Sequence, residues 1–139
     1  MSFVLDSSVA LTWCFEDEAT PAADALLARL TENGAHAPLL WPLEVLNALL
    51  MAERRGRISA PARRERIGFL QSLPIALDEQ TAAQAWTAAD RLAGQYRLTL
   101  YDAAYLELAQ RLELPLATLD AELRAAASAL GLPLLGLES

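Results

Sequence analysis

With 139 residues the chain is long enough for one domain, whose core can bury about two thirds of the surface the unfolded chain exposes. Hydrophobic residues at 54% and charged residues at 21% exclude a disordered tail; one cysteine, Cys14, and one histidine, His36, exclude a disulfide framework within the chain, a Cys-based zinc site and any mechanism needing two imidazoles. All eleven basic residues are Arg, which excludes a P-loop lysine, a Schiff-base lysine and the lysine of a phospho-receiver, and the formal charge of −7 makes a poor generic polyanion binder. That charge is uneven. Residues 53–66 hold six Arg and two Glu, a local +4, and the rest of the chain carries −11.

Phe3-Val4-Leu5 reads as a short strand, and Asp6-Ser7-Ser8 as the cap of a helix reaching about residue 15. Thr20-Pro21 opens a second helix with Leu26, Leu27 and Leu30 on its apolar face, closed by Asn33-Gly34. Ala35-His36-Ala37 is a short strand. Pro42 opens a helix to about Arg55, with Val45, Leu46, Leu49 and Leu50 on one side, and Ser59-Ala60-Pro61 opens another to about Leu70. Pro74 to Leu77 reads as a strand and Thr81 to about Tyr96 as a helix. Thr99 caps a helix to about Leu112, with Asp102 at the acidic position of a capping-box variant. Leu114 to Leu119 is a strand, Asp120 caps a last helix to about Leu130, and Pro133-Leu134-Leu135 is a final short strand.

Strands alternating with helices predict an α/β domain, a parallel sheet covered by helices on both faces, over residues 1–139. The N-terminus lacks a basic n-region, and the longest apolar stretch, 37–52, contains Pro38, Pro42, Glu44 and Asn47, so a soluble cytoplasmic protein is expected.

In such sheets ligands sit beyond the carboxyl ends of the strands. Asp6 and Asp120 follow two strands directly, and Asp102 and Glu44 occupy the first turns of helices. Taken singly, each suits a cap or a helix macrodipole. Four acids converging on one sheet edge repel one another unless cations lie between them, and capping requires no such convergence.

The segments VLDSSVAL, WPLEVLNALL, LTLYDAAYLELA and LATLDAELRAAA, in this order across essentially the whole chain, resemble the PIN domain, and within it the bacterial toxin ribonucleases of the VapC type. The resemblance implies a three-layer α/β/α fold with a short, mainly parallel sheet. It implies a metal-binding and catalytic set of Asp6, Glu44, Asp102 and Asp120, supported by Ser8, Asn47 and Thr118. Glu122 is a weak accessory candidate. It further implies an endoribonuclease using Mg²⁺ or Mn²⁺, an RNA substrate, a homodimer and a cognate VapB-like antitoxin.

Hard oxygen ligands without His or Cys suit Mg²⁺ or Mn²⁺. Two such ions about 3.5–4 Å apart clamp the attacking and leaving oxygens of an in-line phosphoryl displacement. His36 reads as a strand-end packing residue, and Cys14 as a small buried hydrophobe. Trp13, Phe15, Trp41 and Trp86 read as core or interface residues before base-stacking ones. The Arg run, with Arg54, Arg55 and Arg57, is either a solvated helix pair or a contact for RNA phosphates or an acidic partner. The competing reading of the whole chain is a non-catalytic PIN-like interaction scaffold, which predicts no metal affinity. A haloacid-dehalogenase-type phosphatase is excluded because Ser8 stands where its second aspartate belongs.

Overall fold

The computed structural model describes residues 1–137. Five strands, β1 (Val4–Leu5), β2 (Ala35–Pro38), β3 (Ile75–Asp78), β4 (Leu116–Ala117) and β5 (Leu134–Leu135), form one sheet in the order β3-β2-β1-β4-β5. Every pairing is parallel. Phe3, Val4 and Leu5 are all fully buried although successive side chains of a strand point to opposite faces, so both faces of the central strand are covered. The expected α/β architecture is the observed one.

The helices are α1 (Ser7–Thr12), α2 (Pro21–Asn33), α3 (Trp41–Arg54), α4 (Ala60–Ser72), α5 (Thr81–Gln84), α6 (Asp90–Tyr96), α7 (Leu100–Leu112) and α8 (Ala121–Ala129). Three of them start where a hydroxyl takes up an orphan amide: Thr20 accepts from Ala23, Ser59 from Ala62 and Thr99 from Asp102. Gly34 ends α2 at φ +72°, a conformation that favours glycine, and a Cβ there would crowd the Pro74 carbonyl at 3.2 Å. Arg111 ties α7 to the end of β3 by bridging Asp78 and Glu107.

Three elements differ from expectation. The first helix stops at Thr12, because Phe15 turns extended before a 3₁₀ turn at Glu16–Glu18. The helix from Thr81 to Tyr96 is interrupted by a π-helical stretch at Ala85–Ala89, where Trp86 is 86% exposed and packs into no core. The strand read over residues 114–119 shrinks to Leu116–Ala117. Past Thr118 the backbone donors leave the sheet for hydroxyls: Leu119 N–H bonds Ser8 Oγ and Asp120 N–H bonds Thr118 Oγ1.

From β1 the chain builds outward through β2 and β3 on one side, and through β4 and β5 on the other. The strand order therefore reverses between β1 and β4, and the crevice beyond their carboxyl ends is the place where such sheets bind ligands.

Candidate metal centre at the sheet's carboxyl edge

Asp6 lies at that switch point, directly after β1, and is 4% exposed. It occupies the N-cap position of α1, yet its side chain caps nothing. Its Oδ2 instead accepts 2.7 Å hydrogen bonds from both the Ser8 and the Thr118 hydroxyls. Two donors on one oxygen hold the carboxylate rigidly between α1 and the end of β4, and neither of them occupies Oδ1.

The other acids arrive on helices. Glu44 stands in the first turn of α3, where the Tyr105 hydroxyl donates to its Oε1. Asp102 stands in the first turn of α7, where the Thr99 hydroxyl takes up its backbone amide. Asp120 does cap: its Oδ2 accepts from Leu123 N–H at 2.8 Å. Local helix chemistry thus accounts for Asp120, and the macrodipole favours Glu44 and Asp102 in their first turns, whereas Asp6 has no capping role.

Asp6, Glu44 and Asp102 all have raised carboxyls. Burial raises the Asp6 carboxyl above the ordinary carboxylate range, Ser8 and Thr118 partly offset it, and Asp120 adds to the rise. Burial also raises Glu44 against the opposing Tyr105 bond, with Asp6 and Asp102 contributing. Asp102 is raised by burial, then by Asp120 and Asp6, with a smaller push from Glu122. Among the described residues none of the four enters an ion pair. One buried and three half-buried carboxylates without basic partners match hard divalent cations in donor chemistry. The carboxylates nevertheless stand apart: among the described residues no three His, Cys, Asp or Glu groups are assembled closely enough to enclose an ion. Like charges repel at such a site unless a cation lies between them.

Ser8 and Thr118 are placed against Asp6 as described. Asn47 lies one turn beyond Glu44 on α3, where the two share an open depression of about 400 Å³ with Leu40, Leu43 and Tyr101, but Asn47 is exposed and hydrogen-bonds none of the acids. Glu122 reaches Asp102 only electrostatically. His36 sits within β2, in register with Val4 and Ala76, away from any ligand role. Tyr105 is the group the sequence reading passed over. Its position three residues after Asp102, on the same face of α7, was the available signal.

The Arg run divides. Arg57 bonds Asp17 and Glu18 at 2.9 and 2.7 Å and stacks 3.9 Å from the Phe15 ring centroid, so its charge is already matched. Arg63 pairs with Glu53, and Arg66 donates to the Cys14 carbonyl. Arg57 therefore drops from the group free to meet a partner, and Arg54 and Arg55 remain exposed, at the far end of α3 from Glu44.

The PIN domain family profile matches residues 3–129. The chain belongs to the PIN-domain family. Among its relatives, Ribonuclease VapC3 of Mycobacterium tuberculosis is 35% identical over 101 residues, covering 71% of this chain and 69% of that protein. Among solved structures, this PIN domain superposes on PAE2754 from Pyrobaculum aerophilum with a TM-score of 0.67 and 23% identity, covering 91% of this chain and 84% of that one. It superposes on VapBC2 from Rickettsia felis, bound to a DNA fragment from its promoter, with a TM-score of 0.63 and 11% identity, covering 96% and 97%. These two likenesses establish the fold, and the family assignment rests on the profile and on VapC3.

The raised carboxyls make the metal-free protein pH-sensitive in a fixed direction. A raised folded-state pKa means that the folded chain holds protons the unfolded chain has released. The stability this contributes is fully present below the ordinary carboxylate range and is lost as pH rises through the raised values. Without metal, Asp102→Asn is expected to melt higher than wild type at pH 7 and to lose less stability between mildly acidic and neutral pH. Mn²⁺ at 100 times its dissociation constant should stabilise wild type by about 2.7 kcal/mol, and the variant much less. Thermal melts in EDTA and in Mn²⁺ check both. A metal-free variant that melts below wild type, with no Mn²⁺ effect on either, contradicts the cluster.

Proposed function

We propose that this PIN domain is a metal-dependent endoribonuclease, the toxin of a type II toxin–antitoxin pair, which hydrolyses RNA phosphodiester bonds at the Asp6–Glu44–Asp102–Asp120 cluster. The observation that carries the reading is the buried Asp6 carboxylate, held on one oxygen by Ser8 and Thr118 and surrounded by acids with no basic partner. Relatives support it, since VapC3 is named a ribonuclease. An antitoxin partner is supported by the likeness to VapBC2. A non-catalytic scaffold has no use for the unneutralised buried carboxylate of Asp6, which costs stability.

Asp6, Glu44, Asp102 and Asp120 would hold Mg²⁺ or Mn²⁺, whose bound charge supplies Lewis-acid stabilisation of the phosphoryl oxygens and a more acidic water. Asp6 would bind as a carboxylate whose Oδ2 is held by Ser8 and Thr118. Asp120 keeps Oδ2 on the α8 amide and has Oδ1 to offer. Glu44 and Asp102 flank Asp6 from α3 and α7, and Asn47 lies at the border, where its amide can meet substrate or water. A histidine base has no place here, because the chain's one imidazole is in β2. No helix among the described residues is long and apolar enough to cross a membrane, and cytoplasmic action on RNA is part of the proposal. So is a homodimer, which the exposed Leu43 and Leu46 on the outer face of α3 favour.

Purified full-length chain, free of antitoxin, is expected to cleave single-stranded or looped RNA with Mg²⁺ or Mn²⁺ and to stop in EDTA. Asp6→Asn and Asp102→Asn should each lower the rate by roughly 100-fold or more, the equivalent of about 3 kcal/mol. Gel assays check this, and full activity in both variants contradicts the assignment.

The divided Arg run yields a separate expectation. Replacing Arg54 and Arg55 together by Ala should reduce the slope of log affinity against log salt by about 0.7 for each phosphate no longer neutralised on single-stranded RNA. Arg57→Ala should leave the slope unchanged, since that guanidinium is already paired. Filter binding of RNA across a salt series, with the metal omitted, reads the slopes. An unchanged slope in the double variant returns Arg54 and Arg55 to solvated surface.

A further inference from the structure

We propose that Tyr105 is a positioning residue of the metal centre: its buried hydroxyl sets the Glu44 carboxylate in the orientation from which Glu44 engages a divalent cation. This rests on the metal-dependent reading above and adds to it a residue outside the acid set. Tyr105 is fully buried and belongs to the same hydrophobic core as Leu5 of β1, Val45 of α3 and Leu106 of α7. Its hydroxyl donates to Glu44 Oε1, a bond that spans 61 residues and joins α7 to the first turn of α3. A glutamate in a helix has three side-chain torsions. Left free at the edge of an open depression, Glu44 would spread over several rotamers and meet a cation only after losing that freedom.

The geometry of α7 makes the constraint specific. Tyr105 and Asp102 are three residues apart on one face of that helix, so a single rigid element carries one acid and the donor that orients another. The parallel with Asp6 is close. There, Ser8 and Thr118 hold one carboxylate oxygen, and here a phenol holds one oxygen of Glu44. In both acids the anchoring hydroxyls engage a single oxygen. A phenol at neutral pH is a hydrogen-bond donor, and donation to a ligating carboxylate fixes its direction without neutralising it.

Isothermal titration of the full chain with Mn²⁺ tests this, using wild type, Tyr105→Phe, Glu44→Gln and the double variant, each with an EDTA melt. Tyr105→Phe keeps the ring and its packing and removes only the hydroxyl. It is expected to weaken Mn²⁺ binding by about 10–100-fold, the usual effect of losing a hydrogen bond to a ligand. In the Glu44→Gln background the same change should have no further effect on affinity, because the residue through which Tyr105 acts is already gone. Unchanged or tighter binding in Tyr105→Phe overturns the proposal, as does a full, additive loss in the double variant, which would mean that Tyr105 acts through general stability. Wild type that binds no Mn²⁺ removes the metal reading itself, and this proposal with it.

Discussion

Asp6 Oδ2 is the point on which the architecture closes. Two hydroxyls, Ser8 from the first turn of α1 and Thr118 from the end of β4, meet on that one buried oxygen at 2.7 Å. The same two hydroxyls accept from the amides of Leu119 and Asp120, so this small network ends β4, orients the start of α8 and fixes the carboxylate at once. Polar networks at low dielectric are costly when incomplete and rigid when complete. Placing this one between the two strands where the sheet order reverses sets a firmly held carboxylate at the carboxyl edge.

The rest of the fold brings charge to that point. α3 and α7 enter with their N-terminal turns toward the sheet edge and carry Glu44 and Asp102. Helix N-termini favour anions, which lessens the cost of gathering carboxylates there but does not remove it. Asp6, Glu44 and Asp102 all have raised carboxyls, with burial the largest cause and neighbouring acids adding to it. Such a site is unstable in one respect and receptive in another: the repulsion that opposes folding without metal is the attraction offered to a cation. The positive surface is elsewhere. Arg57, Arg63 and Arg66 are spent on tying α3 and α4 to each other and to the Cys14–Glu18 segment, which leaves Arg54, Arg55 and Arg64 as the exposed basic charge of that region.

Much of this was legible in the residues because it is local. Thr20-Pro21, Ser59 and Thr99 announce helix starts whose hydroxyl–amide bonds span three residues, and Asp6, Asp102 and Asp120 sit at junctions that short-range patterning places correctly. What escaped reading depends on distance along the chain. Arg57 looks free until it is seen against Asp17 and Glu18, some 40 residues earlier. Tyr105 looks like one more core aromatic until its hydroxyl is seen against Glu44. The brevity of β4 follows from hydroxyls taking over its backbone donors, an arrangement spread over 111 residues. Asn47 has the right spacing from Glu44 but faces solvent, a distinction that helical periodicity alone does not make.

If Asp6 anchors the centre, its Oδ1 faces the place where a divalent cation is held. Anomalous diffraction from crystals of the full chain grown with Mn²⁺ locates that cation. A manganese peak is expected within about 2.0–2.3 Å of Asp6 Oδ1, with Glu44, Asp102 or Asp120 oxygens or their bound waters completing the shell and Oδ2 still held by Ser8 and Thr118. Manganese located away from Asp6, or no ordered manganese at this edge under saturating metal, would refute the role given to Asp6.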